Sequence, residues 1–249
     1  MLTEVAVLKK LDSPFINKIV SSFKTPSLVC LVLEFEQGGE LYRLFKLKKG
    51  KLDPYSVRFY AAQIAMALEH LHKLSVAFRD LKLENILLST KGYIKLCDLG
   101  LCKQNVTECD KGSTSLVGTL DYLAPELVAP GSEHGFAVDW WAFGVLIHEL
   151  LTGRAPYQSQ AYNEQEIIQQ IINDPVNFDK GLSPDVLLTL ERLLDKNPRT
   201  RLGSSLGLSE IKQSPMFSEF DWEACEKLAL RAPWIPHLKS PLDVSMFDP

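Results

Sequence analysis

Three polar residues at fixed spacing, Asp80, Lys82 and Asn85, stand just before an apolar run, Ile86-Leu87-Leu88. Another acid, Asp98, closes a second short apolar stretch and is followed by Leu99 and Gly100. Together they offer two carboxylates, an amide and an ammonium at the mouth of one hairpin. Hard cations take oxygen ligands, and magnesium is usually held by one or two carboxylates plus the phosphates it bridges. In phosphoryl transfer a protein mainly positions groups and neutralises charge, and this inventory suits that work. The competing reading of the same residues is a salt-bridged turn on the surface.

The hairpin needs elements to hold it. Residues 86–88 read as a buried strand, and Tyr93 to Cys97 alternates enough to pair with it. Asp53 followed by Pro54 predicts an N-cap and a pre-set first turn. Behind them Val57, Tyr60, Ile64, Ala67, Leu68 and Leu71 recur at helical spacing, which predicts a helix over 54–73. The run 137–151, AVDWWAFGVLIHELL, is apolar almost all round and reads as a helix through the core. Amphipathic helices are expected over 163–172 and over 183–194, the latter opened by Ser-Pro. Residues 103–115 read as a long exposed loop, and the chain beyond about residue 218 as an irregular surface tail. At the front, a helix over 1–11 and a strand within 28–35 are expected. Two strands there bury too little to stand as an independent sheet.

Composition narrows the setting. The 249 residues are 46% hydrophobic and 23% charged, with a net charge of -4, so a basic nucleic-acid-binding surface is not indicated. Five scattered cysteines form no C-x-x-C pair, and the five histidines form no H-E-x-x-H. Reduced thiols in a cytoplasmic or nuclear protein are expected. No secretory signal is visible, and the longest apolar stretch, Trp140 to Leu151, is too short to span a bilayer.

FRDLKLEN (78–85), CDLG (97–100), GTLDYLAPE (118–126) and AVDWWAFGVLIHELLTG (137–153), in this order, resemble the signatures of eukaryotic protein kinases. The resemblance covers nearly the whole chain and is closest to the AGC group of Ser/Thr kinases. It implies an α+β protein-kinase-like fold with a partial upper lobe over 1–37, a largely helical catalytic lobe over 38–217, and an AGC-type tail from 218 to 249. The implied activity is transfer of the γ-phosphate of ATP to Ser or Thr of protein substrates, with Mg2+ as cofactor. Asp80 would accept the proton of the substrate hydroxyl, Lys82 would neutralise the moving phosphoryl group, and Thr119 would hydrogen-bond both. Asn85 and Asp98 would ligate magnesium. Glu4, Glu34 and Phe247 would belong to the nucleotide side of the site. Glu126 would pair with Arg201, and Asp139 would brace the catalytic loop.

The same resemblance implies regulation and specificity. Ser115 sits where AGC kinases carry an activating phosphate, with Arg79 as its partner and an upstream kinase as its source. Ser113 and Thr114 are neighbouring candidates. Glu40, Glu84 and Glu149 match positions that select basic residues upstream of the target. Departures also occur. Phe78 and Leu99 are hydrophobic swaps within two signatures, and no G-x-G-x-x-G or V-A-I-K occurs in the chain. A shortened kinase chain is therefore expected, and the alternative reading is a catalytically silent, kinase-like interaction protein.

Overall fold

The computed structural model describes residues 11–129, 131–158 and 163–247. Residues 1–10 of the expected helix over 1–11, Glu4 among them, lie outside the described residues. The described chain begins by hooking onto the middle of the molecule. Asn17 N–H donates to Leu96 O at 2.9 Å, and Leu96 N–H donates to Phe15 O at 2.8 Å. Strands β1 (Ile19–Lys24) and β2 (Val29–Leu33) then pair antiparallel, with Phe23 opposite Cys30. Val20, Phe23, Leu28 and Val32 stay exposed on this two-stranded ribbon. So little burial is what a lone hairpin achieves.

The rest is mostly helical. Helix α1 (Leu41–Leu47) is followed by α2 (Pro54–Lys73). The cap expected for α2 forms: the Asp53 carboxylate accepts from Ser56 N–H at 3.0 Å, with Pro54 in the first turn. Four short strands follow. These are β3 (Val76–Ala77), β4 (Ile86–Leu88), β5 (Ile94–Leu96) and β6 (Lys103–Gln104). β4 pairs with β5 as expected, Leu87 opposite Lys95, and β3 pairs with β6. Then come α3 (Pro125–Val128), α4 (Ala137–Thr152), α5 (Glu164–Asn173), α6 (Pro184–Leu193), α7 (Leu208–Lys212) and α8 (Trp222–Glu226). Ser183 caps α6 by accepting from Val186 N–H.

Helix α4 is buried nearly all round because α2 packs on one side and α6 on another. Trp140, Phe143 and Ile147 meet Ile64 and Leu68 of α2 and Leu190 of α6 in one core. Trp141 and Val145 face a second cluster with Tyr157, Ile167 and Ile171. The result is the expected α+β architecture: a small, incomplete β lobe beside a larger helical lobe.

Two expectations need correcting. The 103–115 segment is not simply an exposed loop. It contributes β6, buries Val106, and brackets Ser113 against His134 through backbone bonds of 3.1 and 2.9 Å. Its polar residues are held by partners distant in sequence, which periodicity does not register. The tail is also less irregular than expected, since α8 buries Cys225 and its Asp221 cap accepts from Ala224 N–H at 2.9 Å. Further on the tail lies on the surface and crosses the link between the lobes. Gln37 Nε2 donates to Ser240 O at 3.0 Å, and Phe247 stacks on Phe35 with ring centroids 5.5 Å apart.

Candidate active site

The segment between β3 and β4 is pinned from below by one carboxylate. Asp139, fully buried in the first turn of α4, accepts from Phe78 N–H at 2.9 Å and Arg79 N–H at 2.7 Å. Its Oδ2 also lies 2.7 Å from His72 Nε2 at the end of α2. These bonds hold Arg79 at φ 69°, a conformation that non-glycine residues adopt at a cost of about 1–3 kcal/mol. The turn presents Asp80 upward, 6% exposed, with a network around it. Thr119 Oγ1 donates to Asp80 Oδ1 at 3.0 Å, and Asn85 Nδ2 donates to Asp80 Oδ2 at 2.9 Å. Lys82 Nζ stands 3.0 Å from Asp80 Oδ2 and donates to Thr119 Oγ1 at 3.1 Å.

Thr119 reaches this network because Gly118 turns the chain at φ 115°, where a Cβ would stand 2.9 Å from the Arg79 carbonyl. At the far end of the hairpin, Cys97 N–H donates to Asn85 O at 2.9 Å, which seats Asp98 beside the network. Asp98 is exposed at φ 59°, and its Oδ1 accepts from Gly100 N–H at 3.1 Å. Asn85 spends its Nδ2 on Asp80, while its Oδ1 accepts no bond among the described residues. One free amide oxygen and an exposed carboxylate are hard oxygen donors of the kind magnesium takes together with phosphates. Among the described residues no three His, Cys, Asp or Glu side chains gather as a closed metal site. Burial pushes the Cys97 thiol up to about 12, so it stays neutral beside these acids.

The lower framework is equally specific. Glu126 and Arg201 form a bidentate buried pair at 2.6 and 2.9 Å, and Arg201 also donates to Ala137 O at 2.8 Å. Arg79 extends the other way. Its NH1 donates to Ser115 Oγ at 2.8 Å and to Ser113 Oγ at 3.0 Å, and its Nε to Leu101 O at 2.9 Å. Ser115 is exposed and Ser113 is nearly buried.

A domain family model described as protein kinase domain matches residues 1–217. The chain belongs to this family. This kinase domain is 41% identical over 249 residues to the serine/threonine-protein kinase gad8 of Schizosaccharomyces pombe, covering 99% of the chain and 42% of that protein. It is 41% identical to the RAC family serine/threonine-protein kinase homolog of Dictyostelium discoideum, covering 100% of the chain and 54% of that protein. Protein kinase C eta type of Mus musculus is 40% identical, over 96% of the chain and 34% of that protein. The kinase domain described here thus spans about half, or less, of the length of these relatives. The AGC-type resemblance of its signatures agrees with the Ser/Thr kinases among them.

Elsewhere in the kinase domain, the other expected residues fall into place unevenly. Phe78 and Leu99, the two hydrophobic departures, are both buried in the main core. Glu149 accepts from the hydroxyl of the half-buried Tyr122, and burial, with Glu84 and Asp121 nearby, pushes its carboxyl up. Burial first, and then that acid, pushes the Tyr122 phenol well up. Glu84 is exposed, and Glu40, half-buried, is the N-cap of α1. Glu34 N–H donates to Lys18 O at 2.9 Å, at the junction with the β ribbon. Two contributors were not legible beforehand. His72 carries no motif, and its bond to Asp139 depends on how α2 and α4 cross. His134 carried no motif at all, yet its backbone holds Ser113 and its buried ring lies near Arg79.

Burial holds His134, His148 and His70 below the usual histidine range, and Arg79 adds to the effect at His134. A depressed histidine pKa means the unfolded chain binds protons first. The stability contributed is present above about pH 6.5 and is lost as pH falls through the folded-state values. The raised carboxyls of Glu36 and Glu149 act in the opposite sense. We expect the melting temperature to drop between about pH 7.5 and about pH 5.5, and His134→Gln to flatten that slope. A thermal melt series of both proteins checks it.

Proposed function

We propose that this chain transfers the γ-phosphate of ATP to Ser or Thr hydroxyls of protein substrates. The network of Asp80, Lys82, Thr119 and Asn85 carries this reading. Asp80 is held by Thr119 and Asn85 with both oxygens oriented, so it can accept the proton of an incoming hydroxyl as the new bond forms. Lys82, tied to both Asp80 and Thr119, places a positive charge where the transferring group passes. Asn85 and Asp98 would hold magnesium, which supplies charge neutralisation on the phosphates when bound. Glu34 and Phe247 would flank the nucleotide. Glu40, Glu84 and Glu149 would favour basic residues upstream of the target, several acids being needed because one exposed pair contributes only about 0–1 kcal/mol.

Ser115 is the proposed regulatory phosphosite. Its hydroxyl is exposed and already meets Arg79, so a phosphate adding about -1.5 to -2 charge would strengthen a contact that exists. An upstream kinase is the implied partner, in a cytoplasmic or nuclear setting. Among the described residues no helix is long and apolar enough to cross a membrane.

The alternative, a kinase-like interaction protein, has one observation in its favour: the exposed apolar residues of the β1–β2 ribbon. Activity separates the two. Phosphorylation of an arginine-rich peptide by the longest natural form of this protein should fall about 10²–10⁴-fold in Asp80→Asn. Radiolabel transfer from ATP measures it. Equal transfer by the variant would remove Asp80 from the mechanism, and no transfer by the unmodified protein would leave the interaction reading.

A further inference from the structure

Helix α1 carries a second kind of charge beside the acids assigned to basic substrate residues. Within nine residues the chain places Arg43, Lys46, Lys48, Lys49 and Lys51, in a protein whose net charge is -4. Arg43 and Lys46 share the walls of a cleft of about 160 Å³ with Glu40, Tyr42, Met246 and Phe247. Glu40 marks the end of this cleft nearest the catalytic network, since its backbone bridges to Leu87 in β4. The other end leads away. Gly50, just past α1, packs its carbonyl against Gly153 beyond the C-terminus of α4, and Leu52 N–H donates to Leu150 O. That end lies roughly 20 Å along α4 from Asp139.

Lys46 is exposed, and its Nζ lies 4.4 Å from the centroid of the Tyr42 ring. It forms no ion pair among the described residues. The tail supplies the opposite wall through Met246 and Phe247, so the exposed cation borders a cleft on one side. A cation beside an apolar wall and an aromatic face is partly shielded, which strengthens its interaction with an incoming anion.

We propose that Lys46, with Arg43, forms a subsite for an acidic or phosphorylated residue of the peptide substrate. It rests on the proposed function above, because it assumes a peptide that lays a basic residue on Glu40. The register follows from geometry. Glu40 and Lys46 are six residues apart, about 9 Å along a helix axis, and an extended peptide covers that span in about three residues. The preferred substrate therefore carries its acid about three residues upstream of the basic residue that Glu40 takes. Such a mixed sequence separates this domain's targets from purely basic peptides, by a repulsive element as well as an attractive one.

Fluorescence anisotropy with labelled peptides on the intact protein tests this. One peptide holds an arginine upstream of serine in an otherwise Ala/Gly background. Its relatives carry Glu, phosphoserine or Lys at each of four successive positions farther upstream, with and without the arginine. Glu at the favoured position should tighten binding roughly two- to fivefold and phosphoserine roughly tenfold, while Lys weakens it. Lys46→Glu should reverse that order and leave the arginine-only peptide within about twofold. Equal binding of Glu, Ala and Lys peptides, or an unchanged order in Lys46→Glu, overturns the subsite. In that event tight binding of the arginine peptide would still support a basic-directed kinase. An acid preference in peptides whose arginine adds no affinity supports the subsite and counts against Glu40 as a basic-residue site. Absence of binding by every peptide overturns both.

Discussion

Arg201→Met is expected to lower the melting temperature of this kinase domain by roughly 6–20 °C. Arg201 is 1% exposed and its guanidinium forms both bonds to Glu126, so its loss strands a carboxylate in the core. Breaking a buried pair from one side costs about 3–5 kcal/mol, and a domain of this size shifts by about 2–4 °C per kcal/mol. The damage is larger than one pair, because Ala137 O at the start of α4 and Asp195 O lose their donor as well. The double variant Glu126→Leu/Arg201→Met should recover part of the loss, since no buried charge then remains unpaired. Calorimetry on the single and double variants tests this. A double variant no more stable than Arg201→Met would show that the carbonyl bonds, and not the stranded charge, dominate.

Asp139→Ala is expected to release the catalytic loop while leaving most of the fold in place. Its carboxylate takes two backbone N–H groups and faces a histidine, all in a region shut off from water. Without it the Phe78 and Arg79 amides lose their acceptor, and each such buried donor costs about 1–3 kcal/mol. The left-handed conformation at Arg79 then has less to hold it, and Asp80 moves with it. Amide exchange at residues 78 and 79 should accelerate by about 10²-fold or more, with much smaller changes in α6. Unchanged protection at those two amides would mean that Arg79's bonds to Leu101, Ser113 and Ser115 suffice to hold the turn.

Much of this site could be read from residue order because its contacts are local or carried by signatures. Asp53-Pro54 and Ser183-Pro184 each announce a helix start through chemistry confined to four residues, and both caps form. Asp80, Lys82 and Asn85 lie within six residues, so one turn brings them together. Thr119 was reached through the family resemblance alone, since its bond to Asp80 spans 39 residues of chain. What stayed hidden was longer in range and unmarked by any motif. Val106 is one apolar residue in a polar stretch, and it is buried where the chain leaves β6, its N–H donating to Ser75 O at 3.1 Å. The ion pair of Asp110 with Arg199 joins two residues of ordinary surface type. The Ser113–His134 bracket is made by backbone atoms, to which side-chain patterns are blind.

The strap formed by the tail has a consequence for the order in which this chain folds. Gln37 and Ser240 are 203 residues apart, and Tyr93 and Leu230 are 137 apart. Contacts of such separation gain nothing until the surfaces they join exist, so loop-closure entropy delays them behind the α2–α4 core and the β4–β5 hairpin. The strap is therefore expected to dock last during folding and to detach first on heating. It acts as a seam across an already folded body, and the Phe35–Phe247 stack reports when that seam is closed.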